Sequence, residues 1–403
     1  MLGGAALLAG AGGYASSRAS AGSPAVSAAN SVPWRTTAPR VVPRPTGPSD
    51  AYTPGATYVP DGTAGATAAI PRADVRLLPG RYLDNQQRNL AYLLYLDPDR
   101  MLRSFRINYG QPAQAAPIGG WESPDSMIRG HVTGHLMSAL AWAYAGTGTS
   151  AADRDRLAVK AKGDYIVAEL AALQGRAQKS GYHAGYLSAF PEQFFTWLEQ
   201  GAWSKIWSPY YMIHKYLAGL IDQYQLAGNT QALDVAIRLA DWVDKRTKNL
   251  TYQHMQSILR VEFGGLPEAL ANLYTITGDP ATLKTAERFY HAGFLDPLTA
   301  GLDNLEHAQC NVSTPKVIAA LRLAEETGSQ RYWDAAYNFW NIATEHHSYA
   351  IGGMGNFESW GPPDTVAGEL SNYNCESCAS YNMLKLTRLL HFNDPSNPAY
   401  MDY

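Results

Sequence analysis

Residues 210–229 read YYMIHKYLAGLIDQYQLAGN, and this stretch decides the fold. Within it, apolar side chains recur every three or four positions, at Ile213, Leu217, Leu220 and Tyr224. That spacing places them on one face of an amphipathic helix. The closing Ala-Gly-Asn predicts the end of the helix, because glycine readily adopts the left-handed conformation there and asparagine caps a following helix. The stretch therefore predicts one helix followed at once by another.

The same turn recurs along the chain. Gly228, Gly278 and Gly328 each stand before an Asn, Asp or Ser and are spaced 50 residues apart, and residues 147–149 have a similar form. A period of this length made of two helices is typical of helical-pair repeats, which build open solenoids or closed toroids. Long aromatic segments between pairs, such as residues 181–208, suit loops that form a cleft on one face of a ring. We therefore expect an all-α toroid.

The amino-acid composition limits the classes of function that this chain can have. The 403 residues carry a net charge of −3 and are 46% hydrophobic, which fits a globular protein with a sizeable core and gives no basic surface for nucleic acid. No apolar run is long enough for a membrane span. The 25 Tyr and 10 Trp residues suit the stacking of rings on sugars, although most such rings simply fill a core.

The N-terminal region predicts export. Residues 1–27 are rich in Gly and Ala with an apolar run, like a secretory signal that lacks its charged start. Residues 28–74 are rich in Pro, Ala and Thr and are predicted to be a disordered linker. We expect a secreted protein with its barrel in residues 75–403. The 3 cysteines are an odd number, which argues against a simple disulfide framework.

The string Cys375-Glu376-Ser377-Cys378 predicts a metal site. Glu376 and Cys378 set a carboxylate beside a thiol, and zinc accepts both kinds of ligand. A strained local disulfide or inert thiols are the alternatives for the two cysteines. A second carboxylate, Glu358, lies eighteen residues upstream.

Other polar and aromatic residues that lie near predicted helix starts are candidates for substrate binding. His131 and His135 are four residues apart and could share a helix face, but hydrogen bonding to a ligand or to nearby loops is favoured over a metal there. His214 lies beside the apolar stripe of its helix, where a histidine is often a satisfied core residue. The candidates for substrate binding are His214, Trp121, Glu122, His131, His183 and Glu262.

Several strings together resemble glycoside hydrolase family 127 from about Val75 to the C-terminus. They are residues 75–80 VRLLPG, 119–122 GGWE, 129–131 RGH, 185–191 GYLSAFP, 211–215 YMIHK, 262–265 EFGG, 375–378 CESC and 381–386 YNMLKL. The resemblance implies an (α/α)6 barrel followed by β-sandwich domains, which we do not expect within these 403 residues. Because the chain ends at Tyr403, we expect the barrel to be incomplete at the C-terminus and poorly stable or inactive alone.

The resemblance also implies an activity, that of a retaining, exo-acting β-L-arabinofuranosidase on arabinose-containing oligo- or polysaccharides. In that family a zinc-bound cysteine thiolate is the nucleophile and a glutamate is the acid/base. Glu358 matches the acid/base, and Glu376 and Cys378 match zinc ligands, which places Glu376 in the catalytic centre as well. His214 matches a histidine that contacts substrate.

Three departures from the family pattern leave alternatives open. The nucleophilic cysteine belongs to a Cys-Cys string beyond Cys378, and none occurs before Tyr403. The family usually has a histidine near Gln309, where the nearest here is His307. Ser359-Trp360 replaces His-Phe after the acid/base. A non-catalytic carbohydrate-binding toroid, or another toroid enzyme such as a lyase or an epimerase-like protein, therefore stays open.

Overall fold

The computed structural model describes residues 63–64, 67–147 and 154–403. A two-stranded antiparallel ribbon, β1 (Thr63–Ala64) and β2 (Thr67–Ala68), precedes the helices. The helices are α1 (Arg81–Tyr95), α2 (Pro98–Asn108), α3 (His131–Gly146), α4 (Arg154–Gln174), α5 (Gln193–Glu199), α6 (Pro209–Ala227), α7 (Thr230–Thr247), α8 (Tyr252–Ile258), α9 (Leu266–Thr277), α10 (Pro280–Arg288), α11 (Ala292–Thr299), α12 (Cys310–Thr327), α13 (Gln330–His346), α14 (Ser377–Asn393) and α15 (Ala399–Asp402). Single 3-10 turns are formed by Arg72–Asp74, Gly120–Glu122, Gln178–Ser180 and Trp203–Lys205.

An inner row of helices organises the fold. Helix α3 packs against α6, α6 against α9, α9 against α12, and α12 against α14. Helices α4, α7, α10 and α13 pack behind them as the outer partners of successive pairs. Short turns reverse the chain between partners, so successive inner helices begin at the same end. This is the α/α toroid that the helical-pair pattern predicts, and its geometry gathers the N-termini of the inner helices and the loops before them.

The repeated turns lie where the sequence places them. Gly228, Gly278 and Gly328 follow α6, α9 and α12 with φ of 69°, 68° and 69°. The Asn229 side chain accepts a hydrogen bond from the Ala232 N–H and so caps α7. Because these glycines adopt the left-handed conformation, the chain can reverse within two residues. The predicted turn at residues 148–149 lies outside the described residues.

Two glycines allow α3 and α6 to make a very close contact. A Cβ built on Gly134 of α3 would lie 2.5 Å from the Lys215 carbonyl oxygen of α6. A Cβ on Gly219 of α6 would lie 2.5 Å from the Gly134 carbonyl oxygen. Neither position has room for a side chain, so these residues set the spacing of the two helices that carry His131 and His214.

Two apolar clusters fill the space between the rows. The larger extends from Leu93 to Phe289, mainly in α1 to α10, and also includes Leu323 of α12, while the smaller extends from Tyr290 to Tyr400. Tyr332 packs against both clusters. The core is therefore continuous from the first helical pairs to the last.

The predicted export signal and most of the predicted linker lie outside the described residues. The last linker residues include the turn Arg72–Asp74, and the Arg72 guanidinium lies 3.3 Å from the ring centroid of Trp142 on α3. Among the described helices, none combines the length and the apolar character required to cross a bilayer.

Candidate active site

The candidate site lies at the N-terminal ends of the inner helices. His131 is the first residue of α3, and His214 lies in the first third of α6. Glu262 precedes α9, Gln309 is the N-cap of α12, and Glu376 is the N-cap of α14. Residues that are far apart in sequence are thus brought to one end of the toroid.

A tight hairpin before α14 carries Glu358. Phe357 and Glu358 both have positive φ, 47° and 65°, which is uncommon for residues other than glycine. The Glu358 carbonyl oxygen accepts a hydrogen bond of 2.7 Å from the Cys310 N–H, and its Oε2 accepts one of 2.7 Å from Gln309 Nε2. Gln309, which lies where the family usually has a histidine, therefore positions the side chain of the predicted acid/base Glu358.

Backbone contacts join this hairpin to the start of α14. Asn356 forms an antiparallel bridge with Asn374, and the Cys375 N–H donates to the Gly355 carbonyl at 3.2 Å. Gly355 has φ of 78°, and a Cβ there would lie 2.6 Å from Cys310 Sγ. The glycines before Glu358 thus let the hairpin pack tightly against both α12 and α14.

Glu358, Glu376 and Cys378 share one electrostatic environment. Burial raises the pKa of the Glu376 carboxyl, and the charge of Glu358 raises it further. Burial also raises the pKa of the Cys378 thiol to about 11, with further increases from Glu376 and Glu358 and an opposing effect of Lys215. Two carboxylates close to a thiol favour the protonated form of the thiol. A cation at this point would stabilise the ionised forms of all three groups.

The donor set suits part of a zinc site. Glu376 Oε2 is buried without a hydrogen-bond partner, and the same carboxylate hydrogen-bonds Cys378. A buried carboxylate oxygen with no donor is costly unless a cation or another donor reaches it. A structural zinc takes about four ligands, and within the described ranges no group of three or more His, Cys, Asp or Glu residues has the spacing for a metal. Glu376 and Cys378 could thus supply two of those ligands but do not form a complete zinc site by themselves.

Aromatic rings and imidazoles lie together where α3 begins, on one side of the candidate site. The His131 ring packs 5.4 Å from Tyr211 and 5.0 Å from Trp121, which is 41% exposed. His131 Nε2 lies 3.2 Å from the Tyr211 hydroxyl and 3.1 Å from His135 Nε2. Burial lowers the pKa of His131 to about 2 and that of His135 to about 4. Both imidazoles are thus neutral, and buried His131 Nδ1 is unpartnered.

His214 is held by the loop before α9. Its Nδ1 accepts a hydrogen bond of 3.1 Å from the Gly265 N–H. Burial lowers the pKa of His214 well below its usual value, so the ring is neutral. Because Nδ1 is an acceptor, the proton of the neutral ring lies on Nε2, which can act as a donor. Gly264, with φ of 57°, has no room for a Cβ beside this imidazole and Tyr211.

Buried charges surround Glu262. Burial raises the pKa of the Glu262 carboxyl to about 7, while Lys215 and Lys316 oppose that shift. Burial lowers the pKa values of Lys215 and Lys316 to about 8. Lys385 of α14 forms an ion pair of 2.6 Å with Glu268 of α9. Carboxyl and ammonium groups that change charge near neutral pH can donate to or accept from sugar hydroxyl groups.

Two predicted substrate residues have protein partners of their own. Both oxygens of Glu122 accept backbone hydrogen bonds at the start of α3, from Gly130 at 2.7 Å and Val132 at 2.6 Å. His183 is exposed, and its Nδ1 lies 3.0 Å from Glu192 Oε1, which also accepts from Trp242 of α7. Glu122 thus fixes the N-terminus of α3, and His183 lies beside an outer helix. Their roles in substrate binding stay predictions.

Several residues of the site were not among the sequence candidates. The clearest are Gln309, Tyr211, Lys215, Lys316 and Lys385. Tyr211, Lys215 and Lys385 lie inside strings that carry the family resemblance, and Gln309 lies at a departure from it. Those signals mark the residues as notable, but only the folded chain shows their contacts.

Comparison with known proteins identifies the family. A model of the β-L-arabinofuranosidase GH127 catalytic domain matches residues 74–403. The chain belongs to this family. A GH127 β-L-arabinofuranosidase from Geobacillus stearothermophilus T6 superposes with a TM-score of 0.58 at 16% identity, over 80% of this chain and 52% of that one. Another solved GH127 β-arabinofuranosidase gives 0.61 at 18% identity, over 83% and 52%.

These likenesses establish the GH127 fold for the chain, which spans about half the length of either solved arabinofuranosidase. No curated protein sequence is significantly similar to it.

Proposed function

We propose that this GH127 chain forms the catalytic barrel of a secreted, retaining, exo-acting β-L-arabinofuranosidase that cleaves arabinose from plant-type glycans. The observation that carries the proposal is the convergence of Glu358, Glu376 and Cys378 at one end of the toroid, beside neutral imidazoles and exposed aromatic rings. A retaining glycosidase needs an acid and a nucleophile on opposite sides of the scissile bond.

Glu358 is the proposed acid/base. It protonates the leaving oxygen in the first half of the reaction and removes a proton from water in the second. The 2.7 Å hydrogen bond from Gln309 Nε2 to its Oε2 leaves Oε1 for the substrate. Gln309 thus fixes the orientation of the carboxyl group without changing charge itself.

Glu376 and Cys378 are proposed to hold zinc, together with ligands from the Cys-Cys string that the family pattern places after Cys378. When bound, the ion would supply positive charge that keeps a cysteine deprotonated near neutral pH. His214 is proposed to donate from Nε2 to a sugar hydroxyl. Trp121 offers an exposed ring face beside His131 for the sugar ring.

The zinc assignment is tested by metal content. The protein, extended through the Cys-Cys string, is loaded with zinc, desalted and analysed by atomic emission. Glu376→Gln and Cys378→Ser should each lower the zinc bound per chain, while Cys375→Ser should bind as much as the parent. Equal zinc in all four proteins would refute the assignment.

The acid/base assignment is tested by hydrolysis of a chromogenic β-L-arabinofuranoside. Replacing Glu358 with Gln should lower kcat by at least about 100-fold, the usual contribution of a general acid. Glu306→Gln is the matched control, since Glu306 is a half-exposed carboxylate on the loop before α12 and forms an ion pair of 3.5 Å with exposed His307. Both proteins are assayed with the chain extended through the Cys-Cys string, which carries the nucleophile. Failure of that parent protein to release arabinose, or wild-type turnover by its Glu358→Gln variant, would overturn the proposed function.

A further inference from the structure

An exposed aromatic pair includes Phe357, the residue that precedes Glu358 in the hairpin. The rings of Phe357 and Tyr373 are stacked with centroids 4.5 Å apart and an interplanar angle of 24°. Each residue is 64% exposed. Neither residue is used by the proposed chemistry, and neither ring contributes much buried area to the core.

The backbone fixes this pair relative to Glu358. The Phe357 N–H donates to the Tyr373 carbonyl at 3.0 Å, beside the bridge between Asn356 and Asn374. The Ser371 hydroxyl donates to Asn356 Oδ1 at 2.7 Å. Asn374 Nδ2 donates to the Tyr349 hydroxyl at 2.8 Å. The ring pair is therefore part of the same rigid hairpin that presents the carboxyl group.

Phe357 adopts an unfavourable backbone conformation, and its side chain buries too little area to offset the cost. A bulky residue at φ of 47° is strained, at a typical cost of about 1–3 kcal/mol. A buried ring offsets such a cost by removing apolar area from water, but this ring is mostly exposed. Strained residues with exposed aromatic surface are typical of binding sites rather than of cores.

We propose that Phe357 and Tyr373 form a stacking platform for the sugar ring of the leaving group. This inference rests on the proposed function. A general acid lies beside the oxygen that leaves, so groups adjacent to Glu358 contact the leaving side of the bond rather than the arabinose that is transferred. Aromatic faces pack on the C–H face of a sugar ring, and both rings keep one face free of the other. The occupant is thus the pentose or hexose ring linked to the arabinose.

The test compares two ligands that differ only on the leaving side. A β-L-arabinofuranosyl disaccharide carries a sugar ring there, and methyl β-L-arabinofuranoside carries a methyl group. Each is titrated by calorimetry into zinc-loaded protein bearing Glu358→Gln, so that neither ligand is cleaved. Adding Tyr373→Ala should weaken disaccharide binding by about tenfold, the usual size of one aromatic contact, and leave the methyl glycoside unchanged.

Tyr373→Phe is the matched control and should restore disaccharide binding, because it keeps the ring and removes only the hydroxyl. Equal disaccharide affinity with and without Tyr373→Ala would overturn the platform and leave the proposed function intact. Equal weakening of both ligands would also overturn it, since that would show that Tyr373 only supports the hairpin. If neither ligand binds the parent, the proposed function fails and the platform fails with it.

Discussion

The close contact between α3 and α6 allows a test of whether helix packing fixes the positions of the residues in the candidate site. Replacing Gly134 with Ala places a methyl group 2.5 Å from the Lys215 carbonyl oxygen, whereas ordinary contact begins at 3.4 Å. Both neighbours are helix backbone, so the helices have to separate by about 1 Å. Overpacking of this kind typically costs about 1–3 kcal/mol.

The same displacement should disturb the candidate site. His131 opens α3, and Tyr211 lies in the first turn of α6, with His131 Nε2 3.2 Å from the Tyr211 hydroxyl. An added separation of about 1 Å would break that hydrogen bond and move Tyr211 relative to Glu262 and Cys378. Misplacement of this size can lower turnover by about 100-fold.

Urea denaturation followed by circular dichroism measures the loss of stability, and arabinofuranoside hydrolysis measures the loss of turnover. Gly146→Ala is the matched control on the same helix, because a Cβ there meets nothing within 4 Å. It should be neutral or stabilise by up to about 1 kcal/mol. Unfolding midpoints that coincide for Gly134→Ala and Gly146→Ala would refute the proposed role of the close contact.

Two further predictions concern the effect of buried charged side chains on the stability of the fold. Arg322→Met should lower the free energy of unfolding by about 3–5 kcal/mol, because it leaves the buried carboxylate of Glu325 without the fully buried guanidinium that pairs with it. Urea denaturation should show little change for the exposed control Arg88→Met. A similar loss of stability in both variants would contradict this reasoning. Burial raises the pKa of Glu262 to about 7 from 4.5, so the folded chain binds an extra proton between those values and stability falls as pH rises through that window. Glu262→Gln should lack that part of the decline when urea curves at about pH 5 and pH 8 are compared; an unchanged pH dependence would show that Glu262 ionises normally.

The sequence by itself determined the helical pairs. Turns such as Ala227-Gly228-Asn229 and stripes such as Ile213 to Tyr224 are local signals, because capping and amphipathicity depend on residues within a few positions of one another. For the same reason α6, α9 and α12 end where the glycines predict. The family strings likewise include many of the residues of the candidate site.

Only the tertiary structure decided which side chains meet. Gln309 reaches Glu358 across 49 positions, and Phe357 stacks on Tyr373, because a hairpin between α13 and α14 with two consecutive positive-φ residues packs against the start of α12. Periodicity carries no information about such a hairpin, since its conformation is stabilised by contacts with distant backbone. The two oxygens of Glu122 accept from the Gly130 and Val132 amides at the start of α3, a contact that the sequence did not predict. Residue type sets what a side chain can bind, but helix packing sets which partners come within reach.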